Sequence, residues 1–223
     1  MKNKFIYGMI GFLIGCGPNR DFEDKNIFGS QTVGVTSSTV VSSAATGDQV
    51  PMWPQDNVGY DVSKELPTGL SWGGYPEGEP DPSTFTNIPV SQWYDPDGSK
   101  GIHAILFLTS KYDCSACSKE SVELQEKVES WNLAMKGIKV VVLLINNLSN
   151  GKPDASSTFQ WKSQFKLKNV TVVVDPGVTF AVSSTFATPL RTIVDPRTMK
   201  VFEVDEGYTG DYSTLEGLAA GNN

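Results

Sequence analysis

Three continuous apolar runs constrain the fold of this 223-residue chain more than any other feature. They are Ile102 to Thr109 (IHAILFLT), Lys139 to Asn146 (KVVVLLIN) and Val170 to Asp175 (VTVVVD). Each is short, rich in branched residues, and lacks the polar alternation of a strand with one wet face. Each therefore predicts a strand buried on both sides, as in a parallel sheet. Helical patterns separate them. Residues 117–136 space Leu124, Val128, Trp131 and Met135 along one face. Glu120, Glu123, Glu126, Glu129, Lys119 and Lys127 fall on the remainder, read as solvated, and Gly137 is a suitable stop. Pro153 to Leu167 predicts a second helix, with Trp161 and Phe165 one turn apart, and Val178 to Phe186 a short third. Leu190 to Asp195 and Lys200 to Glu206 flank a Pro196-Arg197-Thr198 turn as a hairpin, and Asp211 to Ala220 closes the chain as a weak helix. Strands alternating with helices make this an α/β protein, with a central mixed sheet flanked by helices and covered on both faces.

The N-terminal half reads differently. Lys2 and Lys4 precede an apolar run from Phe5 to Ile14 that is too short to span a bilayer, which needs about twenty residues. This is the layout of a secretory signal. Its ending, Leu13-Ile14-Gly15-Cys16, resembles a bacterial lipobox. That resemblance implies a signal peptide over residues 1–15, cleavage before Cys16, and lipid on the Cys16 sulfur. The alternatives are a plain signal peptide or an uncleaved anchor. Cleavage would remove two lysines and leave 16 basic against 25 acidic residues, a formal charge near −9. Several acyl chains on one cysteine anchor stably where one chain alone binds marginally. The Ser/Thr/Val/Ala-rich stretch Ser30 to Val50 has no aromatic residue, so residues 16–50 read as a lipidated cysteine and flexible tether. Residues 51–100 hold eight of the thirteen prolines with Trp53, Trp72 and Trp93, which favours short strands and turns packed on something larger. Residues 101–223 carry the regular core.

The acidic balance and the lack of any Lys/Arg run exclude a nucleic-acid partner. One histidine and three cysteines are too few for a closed zinc site of about four ligands, so no metal and no cofactor is expected. The remaining chemistry lies in Asp113-Cys114-Ser115-Ala116-Cys117, directly after the first buried strand. Two cysteines at this spacing suit a dithiol switch, half a metal site or a structural bridge. His103, inside the strand pattern, reads as a structural histidine.

Together these features resemble the thioredoxin superfamily, and within it the extracytoplasmic redoxins of the TlpA-like and AhpC/TSA-like group. The resemblance rests on a buried strand leading into CxxC at a helix start and on Thr188 to Gly207 (TPLRTIVDPRTMKVFEVDEG), similar to the family's cis-proline strand, turn and final strand. Val58 to Pro67 and Ile88 to Asp95 look like the extra N-terminal strands of redoxins. The chain departs from the thioredoxin pattern at Asp113, where Trp is usual, and at Ser115-Ala116, where Gly-Pro is usual. No Pro-x-x-x-Thr-x-x-Cys run of the peroxiredoxins precedes Cys114, and a Sco-like copper site would need another spacing.

The resemblance implies a thiol-disulfide oxidoreductase acting on protein thiols and disulfides. Cys114 is the attacking thiol, Cys117 the resolving one, and Cys114–Cys117 the disulfide. Thr188 and Pro189 are the substrate-facing edge. A cysteine at a helix N-terminus faces unpaired N–H groups and the positive end of the helix dipole. A fall in pKa from about 8.5 to about 7 would raise the thiolate fraction at neutral pH from roughly 3 to roughly 50 percent. Asp113 opposes this by like charge, so Asp113, Ser115 and Ala116 are the expected tuning residues. The alternatives are a redoxin-fold binding lipoprotein with a structural disulfide, and a thiol peroxidase. Gly17 after Cys16 leans toward the outer membrane of a two-membrane cell, facing the periplasm.

Overall fold

The computed structural model describes residues 52–223. The expected signal, lipid site at Cys16 and tether lie outside the described residues.

Seven strands form one sheet in the order β2-β1-β5-β4-β3-β6-β7. They are β1 (Ser71–Tyr75), β2 (Thr86–Pro89), β3 (Ala104–Ser110), β4 (Ile138–Leu144), β5 (Thr171–Val174), β6 (Leu190–Asp195) and β7 (Lys200–Glu206). The three apolar runs are β3, β4 and β5. They pair in parallel, with Leu106 opposite Val140 and Val142 opposite Val172, and all seven residues of β3 are buried. The other pairings are antiparallel, including the expected hairpin of β6 and β7. The sheet is thus mixed.

Helix α1 (Ser115–Leu133) joins β3 to β4, α2 (Ala155–Gln164) joins β4 to β5, and α3 (Ser213–Gly221) ends the chain. Steps from β3 to β4 to β5 run in one direction across the sheet, so crossovers of one hand place α1 and α2 on one face. That face carries Leu124, Val128 and Trp131 of α1, Trp161 of α2, and Leu215 and Ala219 of α3, over Leu106, Leu108, Val140 and Val142. The residues that cover the opposite face come from loops, short strands and a 3-10 turn rather than α-helices. Trp53, Leu66, Trp93, Ile102 and Phe180 pack there on Ile105, Phe107, Val141 and Leu143.

Several expectations are corrected. Residues 178–186 form no helix; they run as turn and loop, anchored at Phe180. The extra N-terminal strands are only partly where expected. Val58 to Pro67 is a turn with isolated bridges from Glu65 to Val58 and to Lys200, and of Ile88 to Asp95 the first two residues end β2 while Val90–Trp93 form a 3-10 turn. The strand β1 instead occupies the glycine-rich Ser71–Tyr75. Its Gly74 lets β1 approach β5, because a Cβ there would meet the Val172 carbonyl oxygen at 2.6 Å. Helix α1 begins and ends earlier than its pattern suggests. Met135 lies past its end, in a left-handed conformation (φ 50°), and is exposed; Gly137 (φ 62°) completes the turn into β4.

Candidate functional site

The loop after β3 ends in Cys114, which is the N-cap of α1. Its backbone is extended (φ −108°, ψ 107°), and its Sγ accepts the Cys117 N–H at 3.0 Å. A sulfur here takes the place of the Ser or Asp oxygen that usually satisfies a helix's free N–H groups, and it lies at the positive end of the dipole. Cys114 and Cys117 are joined in a disulfide with Cα atoms 5.2 Å apart. Cys114 is 8% exposed and Cys117 is fully buried, so only the first sulfur can meet a partner from outside. Ser115 and Ala116 form the first positions of α1, the former exposed and the latter half-buried.

The strand β6 places the second part of the site. The Thr188–Pro189 peptide is cis, and the Thr188 carbonyl oxygen lies 3.3 Å from Cys114 Sγ. In the disulfide neither sulfur carries a proton, so this is a close approach; a reduced Cys114 thiol can donate to the same oxygen. The Pro189 carbonyl accepts the Gly207 N–H at 2.8 Å, and Glu206 accepts the Ala187 N–H at 2.8 Å. The end of β7 thereby fixes the backbone facing Cys114.

On the other side of β3, Asn146, two residues past the end of β4, holds the loop before the motif. Its Oδ1 accepts the Tyr112 N–H at 2.8 Å, and its amide donates to Asp113 Oδ1 at 3.0 Å and to Asn150 Oδ1 at 2.9 Å. Tyr112 also donates its hydroxyl to the Ser157 carbonyl at 2.6 Å and meets Trp161 edge-on at 5.0 Å. Lys111 Nζ is 3.8 Å from Asp113, an exposed pair worth little.

No protein-family model matches the chain, and no curated protein matches it. Solved structures do. The mitochondrial 2-Cys peroxiredoxin of Plasmodium falciparum superposes with a TM-score of 0.50 at 14% identity, over 71% of this chain and 92% of its own. The fold is thioredoxin-like. A 2-Cys peroxiredoxin of Plasmodium vivax superposes with a TM-score of 0.50 at 10% identity, over 72% and 94%. A secreted Mycobacterium tuberculosis disulfide oxidoreductase gives 0.45 at 13% identity, over 69% and 96%.

Within this thioredoxin-like frame lies a residue that the sequence pattern misplaced. Glu120 was expected on a solvated face and is fully buried, one helical turn beyond Cys117. Its Oε1 accepts the Tyr212 hydroxyl at 3.2 Å and lies 3.7 Å from Arg191 Nε. Arg191 follows the cis-proline by two residues, stacks over the Tyr212 ring at 4.6 Å, and approaches Asp205 at 3.8 Å. Glu120 Oε2 and Arg191 Nε have no hydrogen-bond partner. Burial pushes the Glu120 carboxyl up to about 7; Arg191 and the Tyr212 hydroxyl pull it down, while Glu123 and Asp205 push it further up. Tyr212 is itself raised, by burial first and then by Glu120. The signal was present in the spacing: Glu120 stands three after Cys117 and four before Leu124, on the apolar stripe of α1.

His103 precedes β3, and its buried Nδ1 has no hydrogen-bond partner. It lines a cavity of about 470 Å³ with Lys136 and Glu216, at the end of the sheet opposite the cysteines. Among the described residues no group of His, Cys, Asp and Glu could hold a metal ion, and no helix is long and apolar enough to cross a membrane.

Proposed function

We propose that this chain is an extracytoplasmic thiol-disulfide oxidoreductase, anchored to a membrane through lipid on Cys16 and acting on protein thiols and disulfides. One observation carries the reading: the outer sulfur of a CxxC pair caps a helix N-terminus and lies against the carbonyl of the residue before a buried proline. The helix start favours a thiolate at Cys114, and the Thr188 edge offers backbone groups to an extended substrate chain.

In the reducing direction, the Cys114 thiolate attacks one sulfur of a substrate disulfide. The new bond joins Cys114 to the substrate, and the substrate's other sulfur leaves as a thiolate. Cys117 then loses its proton and attacks Cys114 Sγ. The mixed disulfide breaks, the second substrate thiolate leaves, and Cys114–Cys117 is oxidised by two electrons. The oxidising direction is the reverse. Cys117 is buried, so its proton needs an acceptor within the protein. Glu120 follows Cys117 by three residues on α1, a spacing that puts two side chains on one helix face, and its buried Oε2 has no hydrogen-bond partner; we assign it that role.

Replacing Cys117 with Ala traps the mixed disulfide. Extracts treated with this variant should yield partner proteins bound at Cys114, and Cys114→Ser should yield none. Equal yields from both would sink the proposal. The low exposure of Cys114 favours a second reading, a structural disulfide in a binding protein. A reduction potential below about −300 mV would establish that reading instead.

A further inference from the structure

The CxxC motif is held from two sides, and the sheet order makes those sides opposite. In the order β5-β4-β3-β6, strand β4 flanks β3 on one side and β6 on the other. The Cys114 sulfur faces the β6 side, 3.3 Å from the Thr188 oxygen. The Asp113 carboxylate faces the β4 side, where the Asn146 amide donates to it at 3.0 Å. Adjacent residues thus send a sulfur and a negative charge in opposite directions. We propose that Asn146 is a positioning residue that keeps the Asp113 charge on the β4 side of the motif, away from the Cys114 sulfur. This rests on the reading of Cys114 as the attacking thiol and deepens it.

Asn146 is built for the task. Its oxygen takes the Tyr112 N–H, so the loop backbone and the Asp113 side chain are fixed by one amide group. Its second amide hydrogen is bound to Asn150. The loop beyond it is rigid: Asn147 Oδ1 accepts the N–H groups of Ser149 and Gly151, and its amide donates to the Lys152 carbonyl. A released Asp113 carboxylate would be drawn to the free N–H groups at the start of α1, where it would compete with the sulfur for the Cys117 N–H.

Other charges around the sulfur are distributed without replacing this contact. On its own loop, Lys111 holds Asp113 only at 3.8 Å. On α1, Glu120 is buried with Arg191 and Tyr212, and Lys119 lies over the Tyr208 ring at 5.6 Å. Tyr208, past the end of β7, donates to Glu123, and Glu206 is bound to the Ala187 N–H. On α2, Asp154 is bound to its own capping box at Ser157.

The test is the pH dependence of iodoacetamide alkylation at Cys114, read by peptide mass in the whole chain with Cys117→Ala. Asn146→Ala should raise the midpoint of thiolate formation by about 0.5 to 1 unit. With Asp113→Asn already present, the same change should shift it by less than about 0.2 unit. Asn146→Asp keeps an oxygen for the Tyr112 N–H while repelling Asp113. It should raise the midpoint likewise, losing most of that rise when Asp113→Asn is added, and it serves if the alanine variant does not fold. No rise in the Asp113 background, or an equal rise in both backgrounds, overturns the proposal. The titration needs only a free Cys114 thiol. Its failure is therefore separable from a failure of the mixed-disulfide trap, which tests the oxidoreductase reading.

Discussion

Glu120→Gln should change how the stability of this protein responds to pH, and the size of the change follows from the burial of one carboxyl group. Glu120 is fully buried, and its carboxyl is raised from 4.5 to about 7. Between those values the folded state holds a proton that the unfolded state releases. Folding is therefore opposed progressively as pH rises from about 4.5 to about 7, and the loss is complete above that. A difference of 2.5 pH units (7 − 4.5) at about 1.36 kcal/mol each is about 3 kcal/mol. Glutamine keeps the shape and an oxygen for the Tyr212 hydroxyl but cannot ionise, so this component disappears. The assay is urea unfolding of the oxidised protein and its Gln variant at intervals from about pH 4.5 to 8. Taking the difference between the two curves cancels the other titrating groups. The variant should gain on the parent by about 3 kcal/mol across this range, most of it above about pH 5.5. A separation that stays constant to within about 0.5 kcal/mol would refute the reasoning, since it would mean that Glu120 ionises equally easily folded and unfolded.

Lys162 is the mirror case. It is buried, donates to the carbonyls of Leu167 and Val170 at 2.6 Å each, and is lowered by burial to about 8 from 10.5. The parent should therefore gain stability between about pH 8 and 10.5, and Lys162→Met should lack that gain, as denaturant titrations at these pH values would reveal. Gly74→Ala places a methyl group against the Val172 carbonyl where β1 meets β5; a loss of about 1 to 3 kcal/mol is expected by thermal or urea unfolding. Trp161→Ala removes the ring that both Tyr112 and Phe165 pack against. It should cost about 3 to 5 kcal/mol in the same assay and loosen the loop before Cys114.

Much of the frame was legible because burial on both faces leaves a continuous apolar run. β3, β4 and β5 were found that way, and β6 and β7 match their expected ends. The misses share a cause. Glycine-rich β1 has little side-chain pattern to read, since its place depends on how closely its backbone approaches β5. Residues 178–186 carry local helical promise, yet Phe180 is drawn into the cluster with Trp72 and Phe107. At the candidate site, Cys114 and Cys117 stand out as a CxxC pair, while Thr188 and Pro189 were named through the resemblance to the thioredoxin superfamily. Asn146 and Arg191 could not be named, because an asparagine after a strand and an arginine within one have no meaning until their neighbours are known.

By itself, then, the sequence determined which segments are strands buried on both faces, that two cysteines stand at a helix start, and that the described core has too few ligands for a closed zinc site. These are properties of spacing and composition, which act over a few residues. The tertiary structure decided which partners the acidic residues near those cysteines meet. Glu120 becomes a buried acid only because α3 and β6 close over α1, bringing Tyr212 and Arg191 to it from 92 and 71 residues away. Asp113 meets the Asn146 amide only because β4 lies on the other side of β3 from β6. Electrostatics depends on distance through space, and no local pattern in the chain records it.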